Sequence, residues 1–455
     1  MMKDRLHDAL RHSTADYAEI RFELEENTSL AYRGREIENA SRSTFMGGIV
    51  RACTKGGWGV VTFDSPEGLA DHVREACACA ALVGREVTEL AEVPPVEQEQ
   101  PAQMQRDFRG VSLDEKLKLI DGYNTILLTS TPAIETSTAS YSDAFRTVHF
   151  ASTRGAYYME ERPRMVCRLR ATARDGSLVQ NAHKSVSSTT TYDAALGLEQ
   201  TAEEVSARAA ALLKAPKCDG GPKTVILDPE MAGVFIHEAF GHLSEADFLY
   251  ENAKMRDLMH LGREIGVPEL SVIDDGGYPD LIGTQAYDDE GTPTGETHLI
   301  TDGVLSAHLH SRETAAKMGE KPTGNARAIG RGVPPIVRMT NTYIANGDTP
   351  VEDLFAGVNN GIYACGMFGG QTALEMFTFS AAYAYRIENG RKGELLRDVT
   401  LTGNVFETLK AIDGIADDLV LCRIGGGCGK GGQAPLPVSF GSPHVRIQDV
   451  VVGGN

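Results

Sequence analysis

Thr224-Val-Ile-Leu-Asp228-Pro229-Glu230-Met-Ala-Gly-Val-Phe-Ile-His237-Glu238-Ala-Phe-Gly241-His242 is the stretch that decides how this chain is built. Thr224 to Leu227 has the β-branched, apolar character of a short buried strand. Asp228 suits a helix N-cap, Pro229 the first helical position and Glu230 the positive end of the helix dipole. The helix that follows is apolar at Met231, Val234, Phe235 and Phe240 and should be largely buried. A His-Glu pair inside such a helix is costly unless it is paired or metal-bound.

The common helical zinc motif sets two histidines four residues apart, about 40° around the axis. Here the spacing is five, HExxxH, or about 140° on a regular helix, so both rings cannot share one ion without a distortion. Gly241 offers a place to unwind or bulge, and the motif predicts a broken last turn. The plainer alternative is two buried histidines with ordinary hydrogen bonds.

A metal needs a third ligand. Cys422, Cys428, His444, His298, His308 and His310 are candidates. Cys428 stands out because Gly425-Gly-Gly-Cys428-Gly-Lys430-Gly-Gly432 lets backbone approach closely, and Lys430 with nearby N–H groups would favour a thiolate. The same stretch is not a phosphate loop: Ile424 stands where the first glycine should be, and Gly431 where Ser or Thr should be. Two histidines, a thiolate and an open fourth position make a catalytic rather than a closed structural site. Glu238, beside a ligand, then has the place of a general base that passes a proton from water to a leaving amine.

Upstream, helical patterns at Asp4–His12, Pro66–Val83 (with Ser65 as N-cap), Leu113–Ile126 and Leu196–Lys214 alternate with strand-like runs. The strands are expected at Tyr17–Leu30, Gly47–Phe63, Glu135–Ser142, Arg146–Ser152, Ala156–Thr172 and Ser177–Thr191, with residues 93–104 a solvated linker. Strand and helix units recur, which predicts an α+β N-terminal domain (1–215) with a partly duplicated plan. After the Pro- and Gly-rich 214–222 boundary, a C-terminal domain (222–455) dominated by antiparallel sheet should carry the metal-site helix. Its strands are expected at Thr224–Leu227, Leu299–Val304, Val337–Ile344, Gly361–Cys365, Thr378–Glu388 and Val445–Val452. Asp274-Asp-Gly-Gly277 and Asp288-Asp-Glu-Gly291 read as acidic turns rather than a second cation site. Gly366–Gln371 either ends a strand or brings backbone to the site, and Cys77 and Cys79 are core or semi-buried on different faces of a helix. Arg312 and Arg327 could bind a substrate carboxylate, but solvated or structural pairing is the default expectation.

Composition narrows the class. The chain has 455 residues, 44 basic against 63 acidic, for a net charge of −19. Such a surface repels phosphate backbones, so nucleic acid is not an expected partner. No apolar run is long enough to span a membrane, and no secretory h-region opens the chain. Eight cysteines without a CxxC pair exclude ribbon and knuckle zinc modules. A reduced, cytoplasmic protein is expected.

Tyr17-Ala-Glu-Ile-Arg21, Gly57-Trp-Gly59, His237-Glu-Ala-Phe-Gly-His242, Tyr287-Asp-Asp-Glu-Gly-Thr-Pro293, Thr323-Gly-Asn-Ala-Arg327, Arg338-Met-Thr-Asn-Thr-Tyr343 and Cys428-Gly-Lys-Gly-Gly-Gln433 together resemble the TldD subfamily of the TldD/PmbA metallopeptidases, across nearly the whole chain. The resemblance implies a zinc (Zn2+) metallopeptidase with His237, His242 and Cys428 as metal ligands and Glu238 as general base for a metal-activated water. It implies unfolded peptides as substrates, bound as extended strands, and assembly as a homodimer or as a heterodimer with a metal-free PmbA/TldE-like homologue. Ala326 departs from a glycine common in relatives but touches no proposed ligand. The other function class is a non-catalytic regulatory or partner subunit whose metal is structural. A small deformylase-like hydrolase is disfavoured by the five-residue spacing and the chain length.

Overall fold

The computed structural model describes residues 1–86, 89–373 and 375–454. α1 (Met2–Leu10) precedes a meander of β1 (Tyr17–Arg33), β2 (Glu36–Thr54) and β3 (Gly57–Phe63), which α2 (Leu69–Val83) follows. After the short β4 (Glu97–Gln100) the order repeats: α3 (Leu113–Thr129), β5 (Ile134–Ser152), β6 (Tyr157–Asp175), β7 (Leu178–Ser188) and α4 (Glu199–Leu212). The expected duplication is therefore present, as helix, three strands and helix twice over. β1 and β5 pair antiparallel from Glu19↔Ser152 to Arg33↔Thr138 and merge the repeats into one seven-stranded sheet.

Period-two alternation divides the work of this sheet. Ile20, Leu30, Tyr141, Leu169 and Ala171 point to one face and are covered by the four helices in two apolar cores. The intervening positions Glu19, Arg21, Glu23, Arg146, Glu160 and Arg162 point the other way, toward the C-terminal half. There they meet the turn Asp288–Gly291. Arg51 bridges Glu19 (2.8 Å) and Glu290 (3.1 Å), and Arg162 reaches Asp289 at 3.0 Å, with Arg21 3.6 Å away. Asp288 closes the turn itself by accepting from the N–H groups of Glu290, Thr292 and Ala326. Asp274 likewise accepts from Thr340 and Thr342. Both acidic stretches are thus turn and interface structure, as expected.

In the C-terminal half, strand 360–373 pairs with β8 (Gly221–Leu227) and also with strand 376–388, so a second seven-stranded sheet closes on itself. A six-stranded sheet includes strands 272–275, 341–344 and 439–442. α5 (Pro229–Ile236) is buried between them. Phe235 packs against Phe377 and Phe379, while Gly233 lies so close to Phe440 and Gly441 that a Cβ would meet them at 2.8–3.0 Å. Most pairings are antiparallel; β8 with 360–373 and 341–344 with 439–442 are parallel.

Several elements differ from expectation. α2 begins at Leu69, not Pro66, because Ser65 Oγ accepts from Glu67 N in a local turn and Gly68 is left-handed at φ 69°. The 93–104 segment is not all linker: Glu97–Gln100 pairs parallel with β6. The polar pair Ser142-Asp143 does not interrupt β5, since β1 and β6 satisfy its backbone on both sides. Asp302 (φ 50°) and Gly303 (φ 77°) turn the expected 299–304 strand into a hairpin of 296–301 and 304–305. Strand 337–344 splits into 336–337 and 341–344. Cys77 is buried, but Cys79 on the same helix is exposed.

Burial alone would raise the Asp289 carboxyl, but Arg21, Arg162 and Arg146 outweigh it and hold it well below the ordinary aspartate range. The stability this gives is present above the unfolded value near ~3.9 and is lost as pH falls from there toward the folded pKa. Asp289→Ala should cost about 3–5 kcal/mol in denaturant unfolding, because it strands buried guanidinium groups. Removing the half-exposed Arg174–Glu135 pair should cost under about 1 kcal/mol. Equal costs would show that the buried network is no stronger than a surface pair.

Candidate metal centre

Asp228 starts the helix that leads to the site. It accepts from Met231 N at 2.7 Å and also from Gly366 N, which ties α5 to strand 360–373. After Ile236 the helix widens: His237–Gly241 is a single π turn, and His242–Ser244 then tightens to 3-10 geometry. In a π turn the backbone bonds i to i+5, so residues five apart come onto one side of the helix. That is how HExxxH brings its rings together, with centroids 5.4 Å apart. The predicted distortion exists, but it spans the whole motif rather than beginning at Gly241. Gly241 itself has helical angles (φ −53°), and what it supplies is space: a Cβ there would lie 2.1 Å from Met339 Sδ.

Cys428 arrives from 186 residues beyond His242, with its Sγ 3.2 Å from His242 Nε2. Ligand atoms of His237, His242 and Cys428 all lie within 4.8 Å of one another. The buried Nδ1 of His237 has no hydrogen-bond partner. A soft thiolate with two imidazoles is a donor set that suits zinc. Fully buried Arg338 donates to the carbonyls of Cys428 (2.8 Å) and Gln433 (3.1 Å), so the Arg338 and Cys428 motifs meet in one clamp.

Burial pushes the Cys428 thiol up, but hydrogen bonds and charge from His237 and His242 outweigh it and bring it down to about 5. The histidines, not Lys430, favour the thiolate. Lys430 turns away to Glu245 (3.0 Å) and to Val337 O (2.8 Å). Burial opposes the charge of His242 as well, yet Glu245 and Cys428 raise that ring to about 11. Glu245 is completely buried and places Oε2 2.9 Å from His242 Nδ1. Such a carboxylate behind a histidine fixes which nitrogen faces the site. Sequence reasoning missed it; a glutamate three residues after His242 in a broken helix was the available signal.

Glu238 is a quarter exposed, with its carboxylate 3.8 Å from His242 Nε2. It stands on the rim shared by two cavities of about 540 and 720 Å³. Met367 and Gly427 are on the same rim. Residues Gly366–Gln371 therefore continue a strand, with a bulge at 367–369, and carry backbone to the site instead of ending the strand.

The remaining candidates lie elsewhere. Cys422 packs with Val234 and Phe440, and burial raises its thiol. His444 contacts Asp418 (2.7 Å) and Tyr363 (2.9 Å), and exposed His298 pairs with Glu296. His308 and His310 both contact Glu320 at 3.0 Å in a separate cluster. Arg327 donates to Met339 and Pro437 carbonyls and Arg312 to Ala91 O, so both are structural.

Residues 220–454 match the PmbA/TldA metallopeptidase C-terminal domain, residues 18–80 domain 1 and residues 106–213 the central domain of that family. A metalloprotease of Synechocystis sp. is 45% identical over 97% of this chain and 96% of its own length. A zinc metalloprotease TldD homolog of Saccharolobus solfataricus is 37% identical over 53% of this chain and 54% of its own. The crystal structure of TldE from Thermococcus kodakarensis superposes with a TM-score of 0.81 over the whole of both chains at 17% identity, a likeness of fold. The chain belongs to the PmbA/TldD metallopeptidase family.

Burial raises the thiols of Cys53, Cys167, Cys218, Cys365 and Cys422, so Cys428 should stand apart in titration. In metal-stripped protein one thiolate should gain absorbance with a midpoint near about 5, and Cys428→Ser should abolish that step. A first midpoint near the ordinary ~8.5 in both proteins would mean that the histidines do not stabilise the thiolate.

Proposed function

We propose that this member of the PmbA/TldD family is a zinc metallopeptidase that hydrolyses peptide bonds of unfolded or extended peptides. The convergence of His237, His242 and Cys428 beside Glu238, where two cavities meet, is the observation that carries it. Those three side chains would hold the ion. Zinc so held supplies Lewis acidity, polarising a peptide carbonyl and making water a nucleophile near neutral pH. Glu238 takes the proton from the attacking water and delivers it to the amide nitrogen that leaves. Glu245 positions His242, and Lys430 balances the charge of Glu245. Residues 222–455 carry the chemistry while residues 1–215 enclose the substrate and serve in dimerisation, with a second copy or with a metal-free homologue of the TldE kind. A cytoplasmic setting suits a thiolate ligand that must stay reduced. A purely structural metal would have no use for a partly exposed carboxylate between two cavities.

Glu238→Gln should lower cleavage of an unstructured peptide by about 10²–10⁴-fold while zinc content is unchanged. Full zinc with undiminished cleavage would falsify the assignment of Glu238. Glu245→Gln should weaken zinc about 10–100-fold in chelator competition, and Cys428→Ser should lower occupancy outright. Full occupancy in the Cys428 variant would point to another ligand.

A further inference from the structure

The 540 Å³ cavity is walled on one side by the unhelixed face of the N-terminal sheet. Cross-strand register lines Arg33, Thr138, Arg170 and His183 in one row over β1, β5, β6 and β7. The next row on the same face holds Ser140, Arg168 and Ser185. Two of the cations on this wall are already neutralised: Lys184 pairs with Glu230 at 2.8 Å and Arg33 with Glu38 at 2.8 Å. The other two are not. Arg168 donates only to Gly425 O, three residues from Cys428, and among the described residues Arg170 has no ion-pair partner.

Both guanidinium groups are exposed to the cavity and two residues apart on one strand face, so both are available to one anionic ligand. Arg51 and Arg162, on the same sheet face, are by contrast paired with carboxylates. A concave wall of one sign also concentrates ligands of the opposite sign. On the far side of Glu238, the 720 Å³ cavity mixes apolar Leu243, Phe248 and Met255 with polar Asn252, Gln371 and Thr372. A peptide lying across the Glu238 rim would therefore have a cationic wall on one side of the scissile bond and a mixed apolar and polar one on the other.

We propose that the substrates are peptides bearing, to one side of the scissile bond, an acidic side chain that Arg168 and Arg170 bind. The inference rests on the peptidase function and specifies its substrate class. The carboxylate accepts N–H bonds from the guanidinium groups, a geometry that arginine forms bidentately.

Three peptides identical except for Glu, Gln or Lys at the acidic position test it. Their binding to zinc-loaded, full-length Glu238→Gln protein is measured by fluorescence anisotropy, and their cleavage by the unaltered zinc enzyme is followed by mass spectrometry. The Glu peptide should bind about tenfold more tightly than the Gln peptide, with the Lys peptide weakest. In Arg170→Glu protein the order should reverse. Equal binding of all three peptides, or an order unmoved by Arg170→Glu, overturns the acidic preference even where every peptide is cleaved. Ordered binding without any cleavage upholds the acidic site and sinks the peptidase assignment instead.

Discussion

The buried ion network between the Asp288–Gly291 turn and the N-terminal sheet fixes where that sheet stands over the candidate metal centre. Charges removed from water are tolerated only when each meets a well-placed opposite charge or a hydrogen bond. Arg51 and Arg162 meet that condition only when the turn and the sheet keep one mutual placement. The cationic wall belongs to the same sheet face, on β6 only six and eight residues beyond Arg162. Its position above Glu238 follows from the same register.

Around the metal centre a second constraint operates at the scale of one helical turn. A spacing of five from His237 to His242 requires the π turn, and the π turn requires room that Gly241 leaves beside Met339. Glu245 then fixes His242 from behind, and Lys430 from the Cys428 segment neutralises Glu245. The two segments are thus locked to each other: Lys430 pairs with Glu245, Arg338 holds the Cys428 carbonyl, and the histidines stabilise the thiolate.

Much of this was legible in the sequence because the informative signals were local. Asp228-Pro229 marked the helix start, the HExxxH spacing demanded a distortion, and the glycines around Cys428 marked a close approach. Strand boundaries were less legible where neighbours decide: Ser142-Asp143 reads as a break, yet pairing on both sides carries the strand through. Glu245 escaped notice because its role depends on the 3-10 turn that follows the π turn. Arg168 and Arg170 looked like ordinary alternation in a strand. Only the register across four strands shows that they share a face and that the helices cover the other one. The acidic turns were correctly taken as turns, but their arginine partners are remote in sequence and could not be named from it.

The pairing of β1 with β5 also bears on how the chain reaches this state. β1 is central in the finished sheet, but its second partner lies roughly a hundred residues later in the chain. As the protein is synthesised, α1, the first meander and α2 can assemble early, leaving one side of β1 as an open strand edge of seventeen residues. That edge carries Glu19, Arg21, Glu23, Glu25 and Glu26, and such a density of charge discourages two nascent chains from zipping together. The residues that later anchor the two halves of the mature protein would first serve as guards against aggregation.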